Sequence, residues 1–194
     1  MYLYGASGHA KVIIDIVNAM GQSVDGLFDD DEAVSSLSGV AVKHQWSGEG
    51  PMIVSIGNNR IRKKVVERLK GVFAKAIHPS AVLSPTVSVA DGTVIMPGAV
   101  VNADANIGRH CIINTSASVD HDCSIDDYVH ISPHATLCGG VKVGEGTWVG
   151  AGAVVIPGIH IGKWCTIGAG AVVIRDVPDN MKVVGNPAQE IPFH

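Results

Sequence analysis

The chain has 194 residues, a formal net charge of −4 and 46% hydrophobic residues, of which few are aromatic (5%) while 23 residues are glycine. This length suits a compact protein of one or two domains. The acidic balance argues against a nucleic-acid binder, which needs clustered Lys and Arg to meet phosphates; Arg60-Ile61-Arg62-Lys63-Lys64 is one local basic run. No stretch approaches the roughly 18 uninterrupted apolar residues of a membrane span, and the N-terminus lacks a signal-peptide pattern, so no membrane partner is expected and a cytoplasmic enzyme is the default.

In chain order, an extended start at Met1 to Tyr4 meets the turn Gly5-Ala6-Ser7-Gly8-His9 and then an apolar helical pattern through Val12, Ile13, Ile16, Val17 and Met20, stopped by Gly21. A second strand, Val24 to Phe28, runs into Asp29-Asp30-Asp31; a third, Met52 to Ile56, runs into Gly57-Asn58-Asn59, and a second helix follows from Arg60 to Lys70. These elements predict an α/β N-terminal domain, a small Rossmann-like parallel sheet over residues 1–76. Ligands of such sheets gather beyond the carboxyl ends of the strands, where loops 5–9, 29–31 and 57–59 converge. There the free N–H groups opening the first helix can meet nucleotide phosphates. His9 in that turn reads as a ligand contact or, alternatively, as a simple helix opener.

From Ile77 to Val173 an aliphatic residue returns at every sixth place, seventeen positions without a miss. Four places after each stands a second residue that is small or β-branched, such as Ala99, Ala117, Val129 and Ala153. Residues two apart on a strand share a face, so both tracks point inward. Gly, Asn and Asp gather between them, where corners need tight or left-handed backbone. Short strands between regular corners make a parallel β-solenoid, over residues 77–194 with its tail. Cys111, Cys123 and Cys165 fall on the small inward track and read as packing; Cys138 falls out of phase and is assigned no role.

The bland repeat is broken at Asn114-Thr115-Ser116-Ala117-Ser118-Val119-Asp120-His121-Asp122-Cys123. His121 follows inward Val119 by two residues and so stands at or near a corner, free to react. An imidazole with an ordinary pKa near 6.5 suits a general base at neutral pH, contributing typically about 10² to 10⁴ in rate. Either Asp122 or Asp120 orients the ring. His130 is turned outward between inward Val129 and Ile131, while His110, His134 and His160 read as surface or subunit-contact residues.

The repeats Val149-Gly150-Ala151-Gly152-Ala153 and Ile167-Gly168-Ala169-Gly170-Ala171 resemble those of the hexapeptide-repeat acyltransferases. Joined to Gly5-Ala6-Ser7-Gly8-His9, Asp29-Asp30 and Ile56-Gly57-Asn58-Asn59, they make the whole chain similar to bacterial nucleotide-sugar N-acetyltransferases of the bacillosamine pathway, perosamine N-acetyltransferases and their sialic-acid O-acetyltransferase-like relatives. The resemblance implies a left-handed parallel β-helix of a little over five coils, three hexads to a coil, assembled as a homotrimer with each acetyl-CoA site between neighbours. It implies acetyl-CoA as cosubstrate, no metal, and N-acetylation of a nucleotide-linked (UDP-) 4-amino-4,6-dideoxy sugar in glycan biosynthesis. The alternatives are GDP-perosamine N-acetylation, sialic-acid-type O-acetylation, and a non-catalytic or metal-binding β-helix. By matching positions, Ser7, Gly8, His9, Asp29, Asp30 and Gly57 would hold the nucleotide-sugar, His121 and Asp122 would be catalytic, and His130, Ala151 and Ala169 would touch acetyl-CoA. The tail Val184-Gly185-Asn186-Pro187-Ala188 resembles the family's closing segment, but Gln189 stands where a basic residue is usual, leaving Lys163, Arg175 and Lys182 as unassigned candidates for the CoA phosphates.

Overall fold

A computed structural model describes residues 1–191 except Ser47 and Glu49. The N-terminal unit is a six-stranded sheet in the order β3-β4-β2-β1-β5-β6. Its strands are β1 Tyr2–Tyr4, β2 Gly26–Phe28, β3 Ser36–Leu37, β4 Val40–Lys43, β5 Pro51–Val54 and β6 Val72–Phe73, and its helices are α1 Gly8–Ala19 and α2 Asn59–Arg68. β1 lies between β2 and β5 and pairs with both in parallel, so the ends of all three open on the same edge. α1 buries Ala10, Ile13, Ile16 and Val17, the i, i+3, i+4 spacing of one helical face. The hairpin β3–β4 was not expected from the sequence, although Ser38 and Gly39 at its turn both take positive φ (50° and 79°) and a Ser-Gly pair is a turn signal.

From Ala76 to Val173 the chain runs through seventeen two-residue strands, β7 (Ala76–Ile77) to β23 (Val172–Val173), stacked in three parallel sheets. Each residue pairs with the one eighteen places on, as in Ile95 with Ile113 and Ile113 with Ile131. One coil is therefore three hexads, and the prism holds between five and six coils. Both inward tracks fill it: Ile95, Val101, Ile107, Ile113 and Val119 are at most 2% exposed, and the small track adds Ala99, Ala105, Cys111 and Ala117 at 0%. The two inward threonines are satisfied, Thr93 Oγ1 donating to Gly108 O and Thr147 Oγ1 to Gly162 O at 2.7 Å each. β24 (Lys182–Val184) extends the first sheet, and β25 (Gln189–Glu190) pairs back on it in antiparallel fashion.

The three faces differ in what they show outward. The first face carries Ala76, Val94 and Ile112 beneath the N-terminal unit, in one apolar cluster with Leu3, Ile13 and Ile16. Past that cover stand His130, Trp148 and Thr166 on the same face. The second face is mostly apolar, with Val82, Val100, Ser118, Thr136, Val154 and Val172, and the third is polar, with Ser88, Asn106, Ser124, Lys142 and His160. No helix among the described residues is long and apolar enough to cross a membrane.

Candidate active site

The strand ends converge as the sheet order requires. Gly5 N–H donates to Phe28 O, Ala6 N–H to the Asp29 carboxylate at 2.6 Å, and Ser55 Oγ–H to Gly5 O at 2.6 Å, so the loops holding Ser7, Gly8, His9, Asp29 and Gly57 meet at one edge. Ser7 caps α1 only by position: its hydroxyl makes no capping bond, and it and Gly8 are exposed while Ala10 N–H turns back to Ser7 O at 3.0 Å. Asp30 is compensated by a partner that the sequence did not reveal. Arg68 meets both carboxylate oxygens at 3.0 and 2.7 Å, and Tyr4 O–H donates to one at 2.5 Å. The Arg68 guanidinium holds the Asp30 carboxyl below the usual carboxylate range. Burial, followed by Asp30, pushes the Tyr4 phenol up to about 12.

Between α2 and the first face lies a cleft of about 460 Å³, in the size range of small-molecule sites. Gly57, Asn58, Asn59 and Arg60 form one wall; His130, Trp148, Thr166 and Trp164 form the other. His130 Nε2 lies 3.0 Å from Asn114 Nδ2, and burial, then Arg62 and His9, bring its pKa down to about 3, so the ring is neutral. Of the predicted contacts, this cleft unites Gly57 and His130. Trp148 was missed. It is 50% exposed and its indole N–H donates to Ser132 Oγ at 2.7 Å, which fixes the ring plane at the mouth. A prism interior that admits few rings could have flagged it, since a tryptophan on the outward phase of a hexad has to face a ligand, a partner or solvent. Arg60, stacked 4.5 Å over Trp164, was also missed.

His9 and His110 depart from a solvent setting. His9 Nε2 is buried with no hydrogen-bond partner, and burial followed by Arg62 brings its pKa to about 4. His110, expected at the surface or a subunit contact, is instead 4% exposed, stacked 5.3 Å from Tyr128 and edge-on to Phe73 at 4.5 Å. The hexad period places it outside the prism, but the N-terminal unit covers that corner. Arg62 does the joining. It is 1% exposed and donates to His110 O, Tyr128 O, Ile56 O, Gly57 O and Asn59 Oδ1, all at 2.9 to 3.1 Å. Part of the sequence's basic run is thus an internal latch.

His121 lies on the opposite side of the second face, at the corner between the second and third faces. Its side chain is 61% exposed and Nδ1 stands 2.7 Å from Asp122 Oδ2. Asp122 adopts the left-handed corner conformation (φ 59°), which Asp tolerates, and this turns its carboxylate back onto the preceding ring. Asp120 braces the corner instead, its Oδ1 accepting from His121 N–H at 2.8 Å and from Asn102 Nδ2 at 2.9 Å. The Asp122 hydrogen bond, and after it the Asp120 charge, raise the His121 pKa above its ordinary value. Ala151 and Ala169 are exposed, one coil apart, on the corner between the first and second faces. The corner bearing His121 and the corner bearing these alanines therefore flank the same apolar face from its two sides. Among the described residues no group of three or more His, Cys, Asp or Glu is arranged to hold a metal ion.

Comparison with known proteins agrees with this architecture. The PglD N-terminal domain family matches residues 1–69, and the bacterial transferase hexapeptide family matches residues 140–175. The curated UDP-N-acetylbacillosamine N-acetyltransferase of Bacillus subtilis (strain 168) is 43% identical over 111 residues, and that match spans about half of each protein (48% of this chain, 50% of the relative). Perosamine N-acetyltransferase from Caulobacter crescentus, solved with CoA and GDP-perosamine in forms that replace one histidine by Asn or Ala, superposes with a TM-score of 0.94 at 39% identity, covering 99% of this chain and 96% of that one. The acetyltransferase domain of PglB from Neisseria gonorrhoeae FA1090, also solved with acetyl coenzyme A, has a TM-score of 0.91 at 38% identity and 98% coverage of both chains. The chain belongs to the hexapeptide-repeat family of nucleotide-sugar N-acetyltransferases that carry a PglD-type N-terminal domain.

Proposed function

We propose that the chain transfers acetyl from acetyl-CoA to the amine of a nucleotide-linked amino-sugar, a UDP-linked 4-amino-4,6-dideoxy sugar first and GDP-perosamine as the alternative, in glycan biosynthesis in the cytoplasm. One observation carries the reading: an exposed imidazole whose Nδ1 is held by Asp122 at 2.7 Å, leaving Nε2 to take a proton. The amine nitrogen attacks the thioester carbonyl, the C–N bond forms, and His121 Nε2 accepts the nitrogen's proton. The C–S bond then breaks and CoA leaves as a thiolate, a good enough leaving group to need little acid assistance. Asp122 fixes the tautomer that presents a bare Nε2. No covalent acetyl-enzyme enters the scheme.

Substrate placement follows the fold. Ser7, Gly8 and His9 with the α1 N-terminus suit the nucleotide phosphates, and Asp29, Asp30 and Gly57 line the same edge. His130 closes the cleft beside Gly57. Ala151 and Ala169 let a pantetheine arm approach the backbone of their corner. A single prism keeps His121 and these alanines on separate corners. In a homotrimer with the apolar second faces turned to the axis, the His121 corner of one subunit meets the Ala151 and Ala169 corner of the next, which completes the site and supports the trimer.

The test is acetyl-CoA consumption against a panel of UDP- and GDP-linked 4-amino-sugars, run with light scattering. The expected result is turnover by a trimer with one nucleotide series, falling by about 10² or more in His121→Ala. Near-normal turnover in that variant, or an active monomer, overturns the reading.

A further inference from the structure

In the solenoid one residue precedes each left-handed corner position, and from Asp91 to Ala169 this place is filled by Asp, Pro, Ala, Arg, Thr, His, Asp, Pro, Gly, Glu, Ala, Pro, Lys and Ala. Gly139 is the lone glycine of that series. Its neighbour Gly140 has a conformational reason, a φ of 71° at the corner itself, where its N–H donates to His121 O at 2.8 Å. Gly139 has no such reason, because its φ lies outside the positive region that favours glycine. What it has is a neighbour one coil below. A Cβ at this position would stand 2.7 Å from both Cε1 and Nε2 of His121, inside any permitted contact.

We propose that Gly139 is a positioning residue for the acetyl transfer: the missing side chain leaves a slot against which the His121 ring lies while Nδ1 keeps its bond to Asp122. This rests on the reading of His121 as general base. The ring is the free end of an exposed side chain on two rotatable bonds, so a methyl group at 139 displaces it at little cost to the fold. Displacement removes the ring from Asp122 and moves Nε2 from the place where it meets the amine. Stability and catalysis separate at this residue, which distinguishes a positioning role from a structural one.

The experiment is Gly139→Ala, read in three ways. Thermal unfolding is expected to match the parent, kcat to fall about tenfold or more with KM for acetyl-CoA little changed, and the His121 ring-proton titration, followed by NMR, to move down toward that of a free imidazole as the Asp122 bond is lost. If Gly139→Ala also lowers the unfolding temperature, the double variant Gly139→Ala with His121→Ala decides between causes. Recovery to the stability of His121→Ala alone supports a ring clash, and no recovery means a backbone effect and overturns the proposal. An unmoved His121 titration also overturns it, whatever the activity. Because the titration needs no substrate, it answers the question of Gly139 even if the amino-sugar panel shows no turnover, which would count against the proposed function alone.

Discussion

His110 and His121 both stand on corners of one solenoid, yet His110 is 4% exposed between two aromatic rings and the side chain of His121 is 61% exposed beside two carboxylates. The repeat makes the two corners alike; what packs on them makes them differ. Phe73, α2 and Arg62 cover the His110 corner, so its imidazole loses solvent and stays neutral. Among the described residues no hydrogen bond or ion pair runs from the N-terminal unit to His121, and the proton affinity there is set by Asp122 and Asp120. One corner joins the two units and the other stays open to solvent, where the proposed chemistry takes place. Substitutions at the first should therefore report as stability and at the second as rate.

The largest effect should come from the latch. Arg62→Ala strands the buried carbonyls of His110 and Tyr128, and removes the donor of the partly buried Ile56 O, Gly57 O and Asn59 Oδ1. Loss of one side of a buried, charge-assisted network costs about 3–5 kcal/mol. For a protein of this size that corresponds to roughly 10 °C in unfolding temperature. Calorimetry checks the first part, and KM for the nucleotide-sugar should rise because Gly57 and Asn59 lose their anchor. A variant as stable as the parent would mean that the two units are held by their apolar contact together with the contacts of Asn59 to Gly146 and Thr147 and of Lys63 to Glu145.

Next in size is an acid effect seated at the covered corner. Burial, and then the charges of Arg62 and Arg109, bring His110 down to about 4, with Asp127 and Asp91 opposing. Between about pH 6.5 and pH 4 the unfolded chain carries a proton on this ring that the folded chain does not. Stability is thus complete above pH 6.5 and is lost as the pH falls through that window. A shift of this size corresponds to roughly 3 kcal/mol. His9 and His130, lowered to about 4 and about 3, act in the same direction. Denaturant unfolding of His110→Asn, a residue that also accepts the corner's left-handed backbone (φ 54° at His110), should show a shallower loss between pH 6.5 and 4. An unchanged slope would place the acid sensitivity at another group.

How much of this could be read from the sequence follows the same division. The hexads named the interior residue by residue, since inward and outward phases are fixed by a period of six and a pairing of eighteen. The exposed His121 and its carboxylate were legible because a histidine two places past an inward valine has to stand at a corner. Choosing Asp122 over Asp120 needed the backbone: the positive φ of Asp122 turns it to the ring, while Asp120 is engaged with Asn102. The burial of His110, the latch role of Arg62 and the pairing of Asp30 with Arg68 were not legible. Each depends on what a separate unit lays over the outside of the prism, and no period along the chain encodes that fit. Trp148 lay between these cases, its outward phase readable but its cleft not.

The smallest predicted effect bears on the open corner. Asp122→Asn keeps the shape and the tolerance for left-handed backbone, so the fold should be unaffected, while the hydrogen bond to a carboxylate that is the first cause of the raised His121 pKa becomes a weaker one to a neutral amide. A base has to be neutral to accept the amine's proton, so the rate rises with pH through the His121 pKa. Losing Asp122 lowers that pKa, and the acid limb of kcat/KM moves to lower pH. At the plateau the rate should fall about tenfold, since Asn can also hold the wrong tautomer of the ring. Asp120→Asn should move the limb in the same direction by less, because the charge of Asp120 comes second to the Asp122 bond. A pH–rate profile of both variants checks the order. If Asp120→Asn gave the larger shift, the pairing at 2.7 Å between His121 and Asp122 would not be the one that acts in turnover.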